Sequence, residues 1–197
     1  MRAQVSLLFT LAMAGCTPEI ASGAYLCGAE QLCPEGMACN GPDNTCVTDV
    51  IAAPFACGDV SEHEPNNTLL TAENFGQPAC VSQPVRVTGC ESGNDVEDWY
   101  QLQVPSTCGA VVVEARATFP IAFEPLIVEV RAADESVVAT STPCDVTADS
   151  GSSQVCVTGT AAAGGLYAVR IARAGIANCG GDCANNRYTL SIQLAQP

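Results

Sequence analysis

From residue 57 to residue 197, apolar and polar residues of this chain alternate with a period of two in short runs. Tyr100, Leu102 and Val104 fall on one face of such a run, whereas Gln101 and Gln103 fall on the other. Because successive side chains of a β-strand point to opposite faces, this alternation is typical of strands with one buried face. No stretch has convincing helical periodicity. The alternation therefore predicts an all-β fold for this region.

Comparable runs recur along the region and are separated by Gly, Pro, Asn and Asp, which favour turns. They predict about eight strands, at residues 84–88, 99–104, 111–116, 126–131, 136–140, 153–158, 167–171 and 188–194. About 140 residues in strands of this length can enclose one core between two sheets. We therefore predict an antiparallel β-sandwich over residues 57–197.

Cysteine is the second unusual feature, with 13 cysteines against one histidine and no lysine. No CxxC pair occurs, and one histidine cannot complete a Cys₂His₂ zinc site, so disulfides in an oxidising compartment are the simpler interpretation. The odd number leaves one cysteine over. If Cys16 is that residue, the other twelve can pair completely: Cys27, Cys33, Cys39, Cys46, Cys57, Cys80, Cys90, Cys108, Cys144, Cys156, Cys179 and Cys183.

The first four of these twelve cysteines lie in a stretch that is too poor in apolar residues to bury a core. We predict a small knob at residues 25–47 that is stabilised by two disulfides, followed by a linker at residues 48–56. Cys33-Pro34, Gly36 and Cys39 resemble the CPxGxxC modules of some secreted bacterial proteins. That resemblance implies no activity.

Within the sandwich region, spacing indicates two of the disulfides. Cys144 with Cys156 would close a loop rich in Asp, Ser and Gly, and Cys179 with Cys183 would close a tight turn. Spacing does not decide the other pairs.

The first residues have the order of a secretory signal, with a positive charge at Arg2, a short apolar run and small residues before Cys16. The apolar run is too short to span a bilayer. Met13-Ala14-Gly15-Cys16 resembles the lipobox of bacterial lipoproteins, which implies lipidation of the cysteine after cleavage before it. We therefore expect a signal peptide at residues 1–15 and a lipidated tether at 16–24. The alternative is an ordinary signal peptide with a chance cysteine.

Charge and the residue after the cysteine indicate where the protein resides. Thr17 is not the Asp that retains lipoproteins in the inner membrane of well-studied Gram-negative systems, so we expect the outer membrane, with a periplasmic or secreted protein as the alternative. Without residues 1–15 the chain has six arginines against 21 acidic residues. This charge disfavours nucleic acid and anionic headgroups, which leaves lipid as the membrane link. It favours divalent cations, although acidity also serves solubility.

Several motifs of the sandwich region carry a family resemblance. They are Glu62-His63-Glu64-Pro65-Asn66-Asn67-Thr68, Val87-Thr88-Gly89, Asp95-Val96-Glu97-Asp98-Trp99-Tyr100, Gly164-Gly165-Leu166-Tyr167 and Tyr188-Thr189-Leu190. Together they resemble the bacterial pre-peptidase C-terminal (PPC) domain over roughly residues 59–195. The resemblance implies a jelly-roll-like sandwich, usually appended to secreted peptidases. Eight cysteines within the sandwich depart from the family's usual pattern.

The acidic residues of these motifs predict a calcium site. Carboxylate and amide oxygens in this number suit Ca²⁺, which accepts six to eight oxygens in irregular geometry. The resemblance to collagenase-type PPC domains implies one or two ions, with the carbonyl of Cys90 or a neighbour completing the shell. The residues concerned are Glu62, Glu64, Asn66, Asp95 and Asp98, with Asn67 where a carboxylate is usual. The alternative is a solvated turn that leads into a strand.

No motif of a known catalytic centre is present, and His63, between two glutamates, is expected to be a solvated surface residue. We therefore expect no enzyme but a surface-displayed lipoprotein whose sandwich is an interaction module with an unknown extracellular partner. The runner-up is an adhesion module for collagen-like protein or polysaccharide. Against it, Tyr100, Tyr167 and Tyr188 all fall on predicted core faces, which leaves few aromatic residues for an exposed strip. A small hydrolase with an unrecognised site is the third alternative.

Overall fold

A computed structural model describes residues 21–48, 54–145, 151–175 and 184–197 of the chain. Its architecture confirms the predicted all-β fold, with two five-stranded sheets packed face to face and a small disulfide-rich region before them. A 3₁₀ turn lies at Ala29–Gln31, before the first hairpin. The described residues contain no helix with the length and apolar character needed to cross a membrane.

The small N-terminal region is held by cross-links around one hairpin. Strands β1 (Ala38–Asn40) and β2 (Thr45–Val47) pair antiparallel. Disulfides join the first of its four cysteines to the third and the second to the fourth, as Cys27–Cys39 and Cys33–Cys46. A region of this size buries too little apolar surface to fold on its own core, so the cross-links supply much of its stability.

The first sheet of the sandwich is antiparallel throughout. Its strands are β4 (Val85–Glu91), β6 (Val111–Pro120), β9 (Thr142–Pro143), β10 (Ser152–Ala161) and β12 (Asn186–Ala195). Their spatial order is β4-β12-β6-β10-β9. Strand β12, near the end of the chain, therefore lies between two strands from the first half of the sandwich.

The second sheet is mixed. Its strands are β3 (Glu73–Asn74), β5 (Glu97–Gln103), β7 (Leu126–Ala132), β8 (Val137–Thr140) and β11 (Leu166–Arg173). Their order is β3-β5-β11-β7-β8, with β3 parallel to β5 and the other neighbours antiparallel. All eight predicted strands are present in the two sheets.

The core lies between the sheets and contains the apolar faces that alternation predicts. Tyr100, Leu102 and Val104 of one run are buried, and so are Leu190 and Leu194 of another. The sheets approach closely where Gly159 of β10 faces Val130 of β7, since a Cβ at Gly159 would lie 2.9 Å from Val130 Cβ. Glycine therefore sets the spacing of the sheets at that point.

Three further disulfides join parts of the sandwich, namely Cys57–Cys90, Cys80–Cys108 and Cys144–Cys156. The last is one of the two pairs that spacing indicates. Cys16, Cys179 and Cys183 lie outside the described residues. Five disulfides within the described ranges are typical of an oxidising, extracytoplasmic location.

The small region is docked on the sandwich. Phe55, in the described end of the expected linker, packs edge-on against Phe123 with ring centroids 4.9 Å apart. The guanidinium of Arg187 lies 6.0 Å from the centroid of each ring. It also donates hydrogen bonds of 3.1 Å to the carbonyl oxygens of Gly41 and Ala56. A β12 side chain thus binds the small region, the linker and the loop after β6.

Candidate metal centre

The segment before β3 is fastened across one end of the sandwich. The amides of Ser61 and Glu62 donate to the carbonyl oxygen of Thr88 on β4, at 2.9 and 3.2 Å. Farther along, the amide of Trp99 on β5 donates to the carbonyl oxygen of Asn66 at 2.9 Å. The segment is therefore tied to both sheets, and its acidic side chains reach the ends of β4 and β5.

Three of the predicted ligands converge there. Glu62, Glu64 and Asp98 each offer a carboxylate oxygen, and these oxygens lie within 4.8 Å of one another. Asp98 is fully buried because it shares the inner face of β5 with Tyr100 and Leu102. Like charges brought this close in a buried site repel each other unless protons or a cation compensate.

The Asn66 side chain completes this group. It is fully buried, and its amide oxygen faces only acceptors, the carboxylates of Glu64 and Asp98. Turning the amide would place its nitrogen 2.8 Å from Asp98 Oδ1 and 3.2 Å from both Glu64 carboxylate oxygens. Either the amide donates to these oxygens, or its oxygen joins them around a cation. Both arrangements relieve repulsion between the carboxylates.

Asn67 and Asp95 form the flank of the group. The Asn67 amide nitrogen donates a short hydrogen bond to Asp95 Oδ1. Burial, followed by the charges of Glu64 and Glu62, raises the pKa of Asp95 to about 6. All six predicted ligands therefore lie in one region, four of them in the central group and two beside it.

Two tyrosine hydroxyls lie beneath the carboxylates. Glu62 Oε1 accepts from the amide of Cys90 at 2.9 Å, and its Oε2 lies 2.9 Å from the Tyr100 hydroxyl and 3.0 Å from the Tyr188 hydroxyl. The two hydroxyls are 2.6 Å apart, and Tyr188 also contacts Asp98 Oδ2. Only two hydroxyl hydrogens are available for these four oxygen-to-oxygen contacts. The negative oxygens of the site are therefore not fully compensated by the hydrogen-bond donors around them.

Glu91 adds a further carboxyl group that sequence analysis missed. It follows Val87 and Gly89 on the inner face of β4, and it is fully buried with no hydrogen-bond partner among the described residues. Burial, followed by the charges of Asp98 and Asp95, raises its pKa to about 10. A carboxyl group in this position must either stay protonated or face a cation.

The central carboxyl groups show the same effect. Burial and then the charge of Glu62 raise the pKa of Asp98 to about 8. Burial also raises the pKa of Glu62, although hydrogen bonds from Tyr100 and Tyr188 act against it. The metal-free site therefore holds protons near neutral pH, and a divalent cation would replace them.

The donor set fits a hard cation. Carboxylate and amide oxygens from two loops and two strands suit the irregular shell of Ca²⁺, whereas this group offers no imidazole or thiolate for zinc. The other group of suitable residues among those described, Cys27, Cys33 and Cys46, is engaged in disulfides.

Gly89 allows the site to form. A Cβ at this position would overlap with the Glu62 carboxylate and the Tyr188 ring. By contrast, His63 lies outside the site, with a side chain that is 83% exposed and 3.1 Å from Glu73 Oε1. The structure therefore gathers the acids of the 62–68 motif and leaves its histidine in solvent.

Comparison with known proteins does not assign this chain to a family. No protein-family model matches the chain, and no curated protein matches it. Among solved structures, it is similar to the pre-peptidase C-terminal domain of collagenase from Bacillus anthracis, at 14% identity and a TM-score of 0.41, over 66% of this chain and 99% of that one. It is also similar to PliG of Aeromonas hydrophila, a periplasmic inhibitor of g-type lysozyme, at 11% identity and a TM-score of 0.34, over 63% and 99%.

Proposed function

We propose that this protein is a non-enzymatic lipoprotein of the cell surface whose sandwich is an interaction module stabilised by Ca²⁺. The observation that carries the calcium proposal is the oxygen cluster at the end of β4 and β5. Oxygens of Glu62, Glu64 and Asp98 approach within 4.8 Å. Glu91 is buried close enough for the charge of Asp98 to raise its pKa, and it has no hydrogen-bond partner among the described residues. A cation would compensate all four groups at once.

Each residue has a distinct part in this proposal. Glu64 and Asp98, with the Asn66 amide oxygen, would bind the ion directly, and Glu91 would contribute the charge that is otherwise buried and unpaired. Glu62 would join the ion to the amide of Cys90 and to the tyrosine pair. The ion would therefore fix the segment before β3 to both sheets, which is a structural role.

The chemistry of the cluster supports a role in stability more than one in catalysis. Two of its carboxyl groups, Asp98 and Glu91, face inward between the sheets and are fully buried, whereas Glu62 is half-buried and Glu64 is exposed. A hydrolytic pair of carboxylates needs access to a substrate on both sides of the bond that it cleaves. We accordingly propose binding, not turnover, as the activity of the domain.

The proposed location follows from the expected lipid on Cys16 and from the disulfides. Lipid with two or more acyl chains on one residue anchors a protein stably, and the disulfides require export. We propose the outer membrane as the compartment, with membrane contact through the lipid alone.

The calcium proposal is tested by thermal unfolding of the full-length protein in detergent with EDTA, Ca²⁺ or Mg²⁺, together with calorimetric titration. At ten times Kd, calcium should stabilise the fold by about 1.4 kcal/mol, which raises Tm by roughly 3–6 °C. Magnesium should give a much smaller shift, because its octahedral shell suits many protein oxygens poorly. The stoichiometry of the titration distinguishes one ion from two.

Two variants locate the effect. Asp98→Asn and Glu64→Gln should lose most of the calcium-dependent shift, whereas the exposed Glu35→Gln should retain it as a control for charge. Absence of both a shift and a heat of binding in the wild-type protein would show that the cluster is only a protonated, hydrogen-bonded turn.

A further inference from the structure

Most arginines of this acidic protein bind other groups of the same chain. Four side chains bind carboxylates or backbone carbonyl oxygens of the sandwich and the small region: Arg131, Arg170, Arg173 and Arg187. Arg86 and Arg116 differ, because both are exposed and neither has a hydrogen bond or ion pair with any described residue. These two are the described guanidinium groups that face solvent without a partner.

The two free arginines lie in one row across the first sheet. Ser191 of β12 pairs with Arg86 of β4 on one side and with Arg116 of β6 on the other. Residues paired across neighbouring strands point to the same face, and two strand spacings separate their Cα atoms by about 10 Å. Alternation with buried Leu190 and Ile192 places the row on the outer face.

The row crosses a depression of about 510 Å³ on this face. Pro84, Ala115, Cys156 and Val157 contribute to its lining, which contains no aromatic residue. Hydroxyl and amide side chains from the neighbouring rows make up most of the rest: Thr118, Thr158, Thr189, Gln154 and Gln193. Gln154 is half-buried and pairs with Thr118 of the neighbouring strand, so the two side chains lie in one row of the lining.

Negative charge limits what the depression can bind. Glu114 lies in the next row of β6, where its carboxylate accepts from Gln193 at 2.5 Å. A ligand with a negative charge at every position would meet Glu114 as well as the arginines. The lining suits a ligand whose acidic groups are separated by neutral groups rich in hydroxyls.

We propose that this face binds an acidic polysaccharide in which carboxylated sugars alternate with neutral ones. A sugar carboxylate would lie over Arg86 and Arg116, which can bind it through paired N–H donors. Hydroxyls of the neighbouring sugars would donate to Glu114 and would bond with the Gln154 amide group and the threonine hydroxyls. An acidic protein segment fits less well, since the lining offers no apolar pocket for an anchor side chain.

This inference rests on the proposed role as an interaction module and not on the calcium site, which lies at the end of the sandwich. Thermal unfolding with and without calcium therefore tests the calcium site independently of polysaccharide binding. A protein with a normal calcium shift that binds no polysaccharide would contradict this inference alone.

The test is a calorimetric titration of the full-length, calcium-loaded protein in detergent with oligosaccharides of hyaluronan, in which glucuronate alternates with N-acetylglucosamine. Arg86→Gln and Arg116→Gln should each weaken binding about tenfold, because a charge-assisted hydrogen bond is lost. Gln154→Ala should also weaken it, at constant Tm. Glu135→Gln, an exposed change in the turn between β7 and β8, should leave affinity within about twofold.

Neutral dextran and poly-glutamate are the comparison ligands. Dextran should bind at least tenfold more weakly than hyaluronan, and so should poly-glutamate. Equal or tighter binding of poly-glutamate would assign the face to acidic protein segments and overturn the proposal. No binding of hyaluronan at millimolar concentration, or equal binding by the arginine variants, would overturn it too.

Discussion

At the scale of single residues, two arginines lie against a buried tryptophan on the outer face of the second sheet. Trp99 is only 4% exposed although it points away from the core. The guanidinium groups of Arg131 and Arg170 lie 5.6 and 5.9 Å from its ring centroid. Glu129 accepts from both arginines, at 2.6 and 2.9 Å. The ion pairs therefore hold two cations against one indole.

Glu129→Gln should destabilise the fold in a pH-dependent way. Burial acts to raise the pKa of Glu129, but hydrogen bonds and charges of Arg131 and Arg170 outweigh it and hold this pKa below its ordinary value. A depressed carboxyl pKa stabilises the fold above the unfolded pKa of about 4.5 and ceases to do so as pH falls through the folded value. The difference in unfolding free energy between wild type and variant should be about 1 kcal/mol at pH 7 and should shrink below pH 4.

Denaturant unfolding of wild type and variant at pH 7 and below pH 4 measures this difference. Glu135→Gln serves as the control, since its side chain lies exposed in the turn between β7 and β8. A difference for Glu129→Gln that is equal at both pH values would show that lost packing, not the ion pairs, is responsible.

Residue types predicted the acidic cluster at the end of β4 and β5 only in part. The acids of the 62–68 and 95–98 motifs were predicted as ligands, and the structure brings them together. Glu91 was missed, although alternation from Val87 through Gly89 places it on the inner face of β4. The sequence signal for Glu91 was an acidic residue at a position that faces the core. How deeply Glu91 is buried, and whether it has a hydrogen-bond partner, depend on the opposite sheet and cannot be predicted from the local sequence.

At the scale of elements, Gly159 and Val130 show how closely the two sheets pack. Gly159→Ala should destabilise the protein by about 1–3 kcal/mol, because the new Cβ would lie 2.9 Å from Val130 Cβ and Cγ1. Gly109→Ala is the matched control, since nothing lies within 4 Å of its Cβ position. Thermal or denaturant unfolding of both variants gives the comparison. Equal stability of the two variants would mean that the sheets separate easily at this point.

Strand positions were predictable and strand partners were not. Period-two alternation reports which residues share a face, so all eight predicted strands appear. It does not report that β12 lies between β4 and β6, because those pairs join residues about 70–100 positions apart. The two-residue strands β3 and β9 are too short to alternate, and they exist only because a longer strand pairs with them.

At the scale of the whole molecule, the lipobox-like motif predicts that a lipid on Cys16 holds the protein on a membrane. Cys16→Ser should abolish lipid labelling and release the protein into the soluble fraction, because no other lipid site is expected. Thr17→Ser is the control and should remain in the membrane fraction. Fractionation after a carbonate wash measures both. Retention of the Cys16→Ser variant in the membrane would contradict the lipid anchor.

The order of the regions along the chain was predicted from cysteine spacing and alternation, but their docking was not. Residues 48–56 had the composition of a linker, and nothing local indicated that Phe55 would pack on Phe123. The contact depends on Arg187, which comes from the far end of the chain and binds the Gly41 and Ala56 carbonyls. Contacts between residues so far apart in the sequence leave no local sequence pattern from which they could be predicted.

If Cys16 carries the expected lipid, the docking through Arg187 also limits how far the protein can extend from a membrane. The small region is attached to the sandwich, and the chain is bonded to that region from Ser22 and Gly23 onward, through Thr48 and Cys46. The spacer that remains, between Cys16 and Ser22, spans at most about 20 Å when fully extended. A lipid-anchored molecule built this way stands close to the bilayer and cannot sample the medium on a long stalk. The first sheet would therefore meet polymers of the cell's own surface layer before it meets anything free in solution.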